Sequence, residues 1–221
     1  MNLKDAINQA ESEGYQMDTR PMKLNLIGIR NPANTSPQTF EDQIAYFYYD
    51  NGGNVVGRIV QATTNPSVYF LNNPMTSAGT AILKQGQYIN AYEIGMHRGL
   101  YQALVQRKPV TVIRDTDRNS YIDFFSQTET GLYGINIHRA SLNKNNVAVI
   151  DKDSAGCQTF KNADDFNEMM AMARNSRDLY GNNFTYTLID MKEVYKKRAN
   201  YAVIGLIVIG LTIYVYKISK S

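Results

Sequence analysis

The run Gln43-Ile44-Ala45-Tyr46-Phe47-Tyr48-Tyr49 is aromatic and β-prone, and the cluster Asp50-Asn51-Gly52-Gly53 leads it into a second such run, Asn54–Val60. Two β-prone runs across an Asn/Gly turn fold as a hairpin, because these residues reach the positive φ angles that reverse a twisted strand. Further short runs at Val68–Leu71, Gly79–Leu83, Tyr88–Ile94, Tyr101–Val105, Val110–Arg114 and Gly134–His138 read as strands, punctuated by Gly, Pro, Asn and Asp. Past Cys157 the period changes. Asn162-Ala163-Asp164-Asp165 is a helix start with acid in its first turn, and Phe166, Met169, Met170 and Ala173 follow at helical spacing until Gly181. Phe184–Ile189 reads as a last strand. The expected class is mainly β with a few helices (α+β).

The C-terminal end is apolar. No charged residue occurs from Ala199 to Tyr216, and eighteen helical residues reach about 27 Å, close to the ~30 Å hydrocarbon core of a bilayer. Tyr195, Tyr201, Tyr214 and Tyr216 lie near its two ends, as in an interfacial aromatic belt. Met1–Tyr15 is polar with Leu3, Ala6, Ile7 and Ala10 on one face, a short amphipathic helix rather than a signal peptide. The chain therefore reads as tail-anchored, the lipid bilayer being one partner. The excess of Lys192, Lys196, Lys197 and Arg198 over Lys217 and Lys220 leaves the large domain on the cytoplasmic side. The expected division is an N-terminal helix and loop (1–40), a β-rich domain (41–190), a basic juxtamembrane segment (191–198), a transmembrane helix (199–216) and a short basic tail (217–221).

Formal net charge is +3, much of it from the flanks of the apolar run. The body is thus close to neutral and lacks the basic stripe that a nucleic-acid partner requires. One cysteine excludes an internal disulfide scaffold. Two histidines and one cysteine match none of the usual zinc spacings, and the reading calls for no metal and no cofactor. Arg107-Lys108 and Arg114-Asp115-Thr116-Asp117-Arg118 read as exposed faces of turns. The Asp-x-Asp there is too short for an EF-hand loop, which needs further oxygen ligands and a distal Glu.

The chemistry-bearing pair is Cys157, in Ser154-Ala155-Gly156-Cys157-Gln158, and His138, nineteen positions upstream on an expected strand. A free thiol with a pKa of about 8.5 is only a few per cent thiolate at neutral pH, and an adjacent histidine raises that fraction. Gly156 permits close backbone approach, amides around Gly156 and Cys157 supply an oxyanion hole worth roughly 3 kcal/mol, and Ser154 braces the loop. The competing reading of a lone cysteine is a small buried hydrophobe. His97 reads as structural or solvated, with a lesser role in lining the site.

Order and spacing narrow the comparison. Papain-like and NlpC-like peptidases place cysteine before histidine, and sortases leave a longer gap. The chain resembles the L,D-transpeptidase family, which carries His-Gly, then about 15 to 18 residues, then Ser-x-Gly-Cys-x-Arg. Met75-Thr76-Ser77-Ala78-Gly79-Thr80-Ala81-Ile82 stands where that family has a Thr-Pro-x-Gly-x-Phe-like strand, and the resemblance covers about Gln43 to Asp190. It implies an L,D-transpeptidase-like β-sandwich, with Cys157 attacking a peptidoglycan stem peptide to form a thioacyl-enzyme. Arg139, Gln158 and Thr159 depart from the family pattern, and Arg139, Gln158, Tyr133 and His97 become candidate substrate-binding residues. The impression of small bacteroidete and phage proteins adds a setting, a virion-associated lysin of a membrane-containing phage with virion membrane or capsid proteins as partners. The alternative is a non-enzymatic structural or binding protein of a virion or cell envelope.

Overall fold

The computed structural model describes residues 1–191. A first helix, Leu3–Ser12 (α1), starts at Asn2, whose side chain accepts the Asp5 amide at 2.8 Å and caps one orphan N–H. Its buried face is Ala6, Ile7 and Ala10. Strands follow at Asn25–Arg30 (β1), Asp42–Tyr49 (β2) and Val55–Thr63 (β3), then a short helix at Val68–Asn72 (α2). Thr80–Leu83 (β4), Gly86–His97 (β5), Tyr101–Gln106 (β6), Val110–Asp115 (β7), Thr128–Gly131 (β8), Ile137–Arg139 (β9) and Gln158–Phe160 (β10) lead to the long helix Ala163–Tyr180 (α3) and the strand Phe184–Asp190 (β11).

Eight strands close into a barrel in the order β1-β11-β5-β6-β9-β10-β3-β2, and β4, β7 and β8 form a separate three-stranded sheet. This corrects the expected β-sandwich. β1 pairs in parallel with β11 on one side and antiparallel with β2 on the other, so the ends of one sheet are joined and no barrel edge remains. Residues 25–30, assigned above to an N-terminal extension, thus supply a barrel strand.

The hairpin forms as its sequence requires, with Tyr49 opposite Val55 and the register running to Asp42 opposite Ala62. Val68–Leu71, expected as a strand, is helical. Four apolar residues between turn signals satisfy either period, and the helix lets Leu71 pack with Ile82, Ile113 and Ile122. α3 begins at Asn162, whose side chain accepts from the Asp164 and Asp165 amides, and stops at Gly181 with φ 85°. Phe166 makes edge contacts with Phe160 and Tyr101, fastening α3 over the sheet at β10 and β6. The largest apolar cluster gathers Leu26, Tyr46, Phe160, Met169 and Tyr186. A second packs α1 against Ile27, Ile29, Phe47 and Ile189 on the opposite strand faces.

The expected membrane span over 199–216 lies outside the described residues. Among the described residues no helix is long and apolar enough to cross a membrane. The longest, α3, carries Asp164, Asp165, Glu168, Arg174, Arg177 and Asp178. The single-pass anchor, and the membrane localisation drawn from it, therefore have no structural support and are withdrawn.

Candidate active site

Cys157 sits at the entry to β10 on a turn that only its own sequence allows. Gly156 has φ 121°, and a Cβ there would lie 2.1 Å from the Ala81 carbonyl oxygen, so any side chain is excluded by both torsion and space. Ser154 is buried, and its hydroxyl lies 2.9 Å from the Asn65 and Cys157 carbonyl oxygens while accepting the Gly156 amide at 3.2 Å. The serine thus ties the cysteine loop to the Asn65 backbone. It also takes up the Gly156 N–H, while the Cys157 N–H has no hydrogen bond among the described residues.

β9 and β10 run parallel with Gln158 opposite Ile137 and Thr159 opposite His138. Side chains opposite each other in a parallel pair share a face, so Thr159 and His138 project to the same side. The half-buried thiol accepts the Asn136 amide at 3.4 Å and points its S–H toward the Gly134 carbonyl at 3.6 Å. Neither imidazole hydrogen-bonds to it.

The hydrogen bonds fix both tautomers. His138 Nδ1 lies 2.8 Å from the Arg139 carbonyl oxygen, which only accepts, so Nδ1 carries the proton. Its Nε2 lone pair faces Thr159 Oγ1 at 3.4 Å, on the strand that carries the cysteine. Asn136 Oδ1 accepts the Gln106 amide at 2.9 Å, which orients its Nδ2 to donate to His97 Nδ1 at 3.1 Å. His97 stacks on His138 with ring centroids 4.2 Å apart, and Tyr101 OH closes the cluster 3.4 Å from His138 Nδ1.

Burial dominates the protonation states. It pulls His138 down to about 3, helped by the neighbouring His97, and it lowers His97 with help from Arg98. Burial likewise raises the Cys157 thiol, against smaller opposing effects of the Asn136 amide and Arg98. The cluster therefore holds a neutral thiol and two neutral imidazoles, with no thiolate–imidazolium pair.

Two recesses flank the cysteine loop. Lys152 and Asp153 line a groove of about 270 Å³ together with His97, Arg98, His138 and Arg139. Ala155 lines another of about 420 Å³ with Phe70, Met75, Arg114 and Tyr133. Of the expected substrate-binding residues, His97 and Arg139 share the groove with His138, and Arg139 lies over the Tyr101 ring at 4.8 Å. Tyr133 belongs to the other recess, with Arg114 4.7 Å from its ring. Gln158 reaches neither. It is fully buried, accepts from Tyr186 OH at 2.8 Å and donates to the Gly156 carbonyl at 3.2 Å, so it supports the turn from inside.

The chain matches no family model, no curated protein and no solved structure. Function is therefore argued from this geometry. Asn136 and Tyr101 were missed from sequence. Asn136 had a signal, since a period of two in Asn136-Ile137-His138 puts it on the histidine's face. Tyr101 had none, its place by His138 depending on the pairing of β6 with β9.

Proposed function

We propose that this chain is a cysteine acyl-transfer enzyme acting on peptides of the peptidoglycan stem. The observation that supports the reading is the parallel pairing of β9 with β10, which sets His138 opposite Thr159, two residues past Cys157 and its Ser154-braced turn, with His138 Nε2 turned to Thr159 Oγ1. Cys157 Sγ attacks a peptide carbonyl carbon as its proton passes to His138 Nε2, and the Cys157 amide receives the developing oxyanion. The tetrahedral adduct breaks its C–N bond, the imidazolium returns the proton to the leaving amine, and a thioester remains. Water or a second amine then displaces the sulfur. The substrate class follows from the L,D-transpeptidase resemblance, and the cations Arg98, Arg139 and Lys152 along the groove suit a carboxylate-bearing peptide.

A second reading, a non-enzymatic binding protein, draws on the raised thiol and on the missing Cys–His hydrogen bond. Mass spectrometry of purified peptidoglycan incubated with wild type or Cys157→Ala separates the two. Cleaved or newly cross-linked muropeptides produced by wild type alone support the enzyme. Unchanged peptidoglycan with a folded protein and an intact thiol supports the binding role.

A further inference from the structure

From sequence, Asp115 and Asp117 belong to an exposed turn. In the structure Asp115, the last residue of β7, is fully buried. Its Oδ2 accepts the Asp123 amide at 2.9 Å, while Oδ1 is buried without any hydrogen-bond donor. The charged groups facing this carboxyl are Asp117 and Asp123. A buried carboxylate oxygen turned toward further carboxylates, with no N–H or O–H between, is costly unless a cation or a proton joins them.

The loop supplies more oxygen than two aspartates. Asp115, Asp117, Asn119, Tyr121 and Asp123 occupy positions 1, 3, 5, 7 and 9 of Asp115-Thr116-Asp117-Arg118-Asn119-Ser120-Tyr121-Ile122-Asp123. In an EF-hand loop those positions give side-chain oxygens at 1, 3 and 5, a backbone carbonyl at 7, and a ligand at 9 that often acts through water. Asn119 donates to Asp117 Oδ2 and its Oδ1 accepts the Tyr121 amide at 2.6 Å, which ties the loop to itself. Asp123 turns its carboxylate to the Phe125 amide and the Ser126 hydroxyl, both at 2.8 Å. Among the described residues no three His, Cys, Asp or Glu groups already form a metal cluster.

We propose that residues 115–123 form a calcium site, with Asp115, Asp117, Asn119 and the Tyr121 carbonyl as direct ligands and Asp123 reached through water. Calcium fits better than magnesium, because the ligands are mixed side-chain and backbone oxygens along one loop, which suits calcium's larger and less regular coordination shell. Ser126 stands where an EF-hand carries its bidentate Glu, so the dissociation constant belongs with the weak sites, about 10⁻⁴–10⁻³ M. The cation steadies a segment that matters to the thiol. Ile122 anchors the loop through its amide to the Thr35 carbonyl at 2.7 Å, and the chain runs on through β8 to Gly134, whose carbonyl faces Cys157.

The test titrates CaCl2, and MgCl2 separately, into the EDTA-stripped full chain by calorimetry and thermal melting, with Asp115→Asn and Asp117→Asn alongside. Wild type should bind calcium and gain roughly 5–10 °C at a hundredfold excess over the dissociation constant, with a smaller response to magnesium. Asp117→Asn, at an exposed position, should fold, melt no lower than wild type in EDTA, and bind calcium at least about tenfold more weakly. Absence of calcium binding by wild type would overturn the proposal and leave Asp115 holding a proton. A calcium response in both variants equal to that of wild type would overturn it as well.

Discussion

His97 and His138 stack face to face, with ring centroids 4.2 Å apart and planes 22° from parallel, although β6 lies between their strands in the barrel. The stack buries two bases against each other, so a proton on His138 is opposed by desolvation and by His97, and one on His97 by desolvation and by Arg98. With its proton on Nδ1, His138 accepts at Nε2 from the Thr159 hydroxyl at 3.4 Å.

Acid should therefore unfold the protein partly through this pair. His138 titrates at about 3 in the folded state against 6.5 for a free histidine, so below pH 6.5 the unfolded chain binds more protons. The stabilisation from the neutral ring is complete above pH 6.5 and is lost as pH falls toward 3, on the order of a few kcal/mol. Melting temperature measured from pH 7 to 4 should drop more steeply for wild type than for His138→Gln. Parallel curves for the two proteins would refute the assignment.

Cys157 should be a slow thiol until substrate arrives. Burial raises its pKa, and the thiolate is the species that alkylates. Iodoacetamide should label the folded protein at pH 7 more slowly than the urea-unfolded chain, with the folded rate climbing steeply above pH 9. Labelling faster than in the unfolded chain at pH 7 would reveal a preformed thiolate–imidazolium pair instead.

Gly156→Ala should be among the most damaging single-methyl changes in the molecule. The new Cβ meets the Ala81 carbonyl at 2.1 Å and the residue must hold φ 121°. Relaxing the turn costs roughly 2–4 kcal/mol, or about 5–12 °C in melting temperature for a chain of this size. Differential scanning calorimetry reads this directly, and a change under 2 °C would show that the turn tolerates another path.

Gln158→Leu should lower stability without weakening substrate binding. It removes the acceptor of the buried Tyr186 hydroxyl and a donor to the Gly156 carbonyl, which costs about 1–3 kcal/mol. Peptide turnover kinetics should show an unchanged KM, since the side chain faces the barrel interior. A raised KM with wild-type stability would return Gln158 to the substrate surface.

Local signals made part of this fold legible in the sequence. The hairpin follows from the Asp50–Gly53 turn between its two strands. α3 follows from the Asn162 cap, the apolar positions from Phe166 to Ala173 and the stop at Gly181, with every deciding residue within one or two turns of its partner. β1 was overlooked because all six of its residues are buried, the strand being covered by α1 on one face and by the main core on the other. Such a strand shows no alternation. β10, at three residues, is too short to show a period.

The sequence by itself determined the β-rich body, the capped helix and the glycine turn that presents Cys157, because each is specified by neighbours along the chain. Tertiary structure alone decided that one sheet closes into a barrel rather than splitting into a sandwich, since closure requires β1 and β11, near opposite ends of the described chain, to pair in parallel. It also turned the polar Gln158 inward to Tyr186 and Thr64, stacked His97 on His138, and buried Asp115 against its own loop. These outcomes depend on which distant backbone supplies a donor, an acceptor or an apolar wall, and that information is absent from any local window of residues.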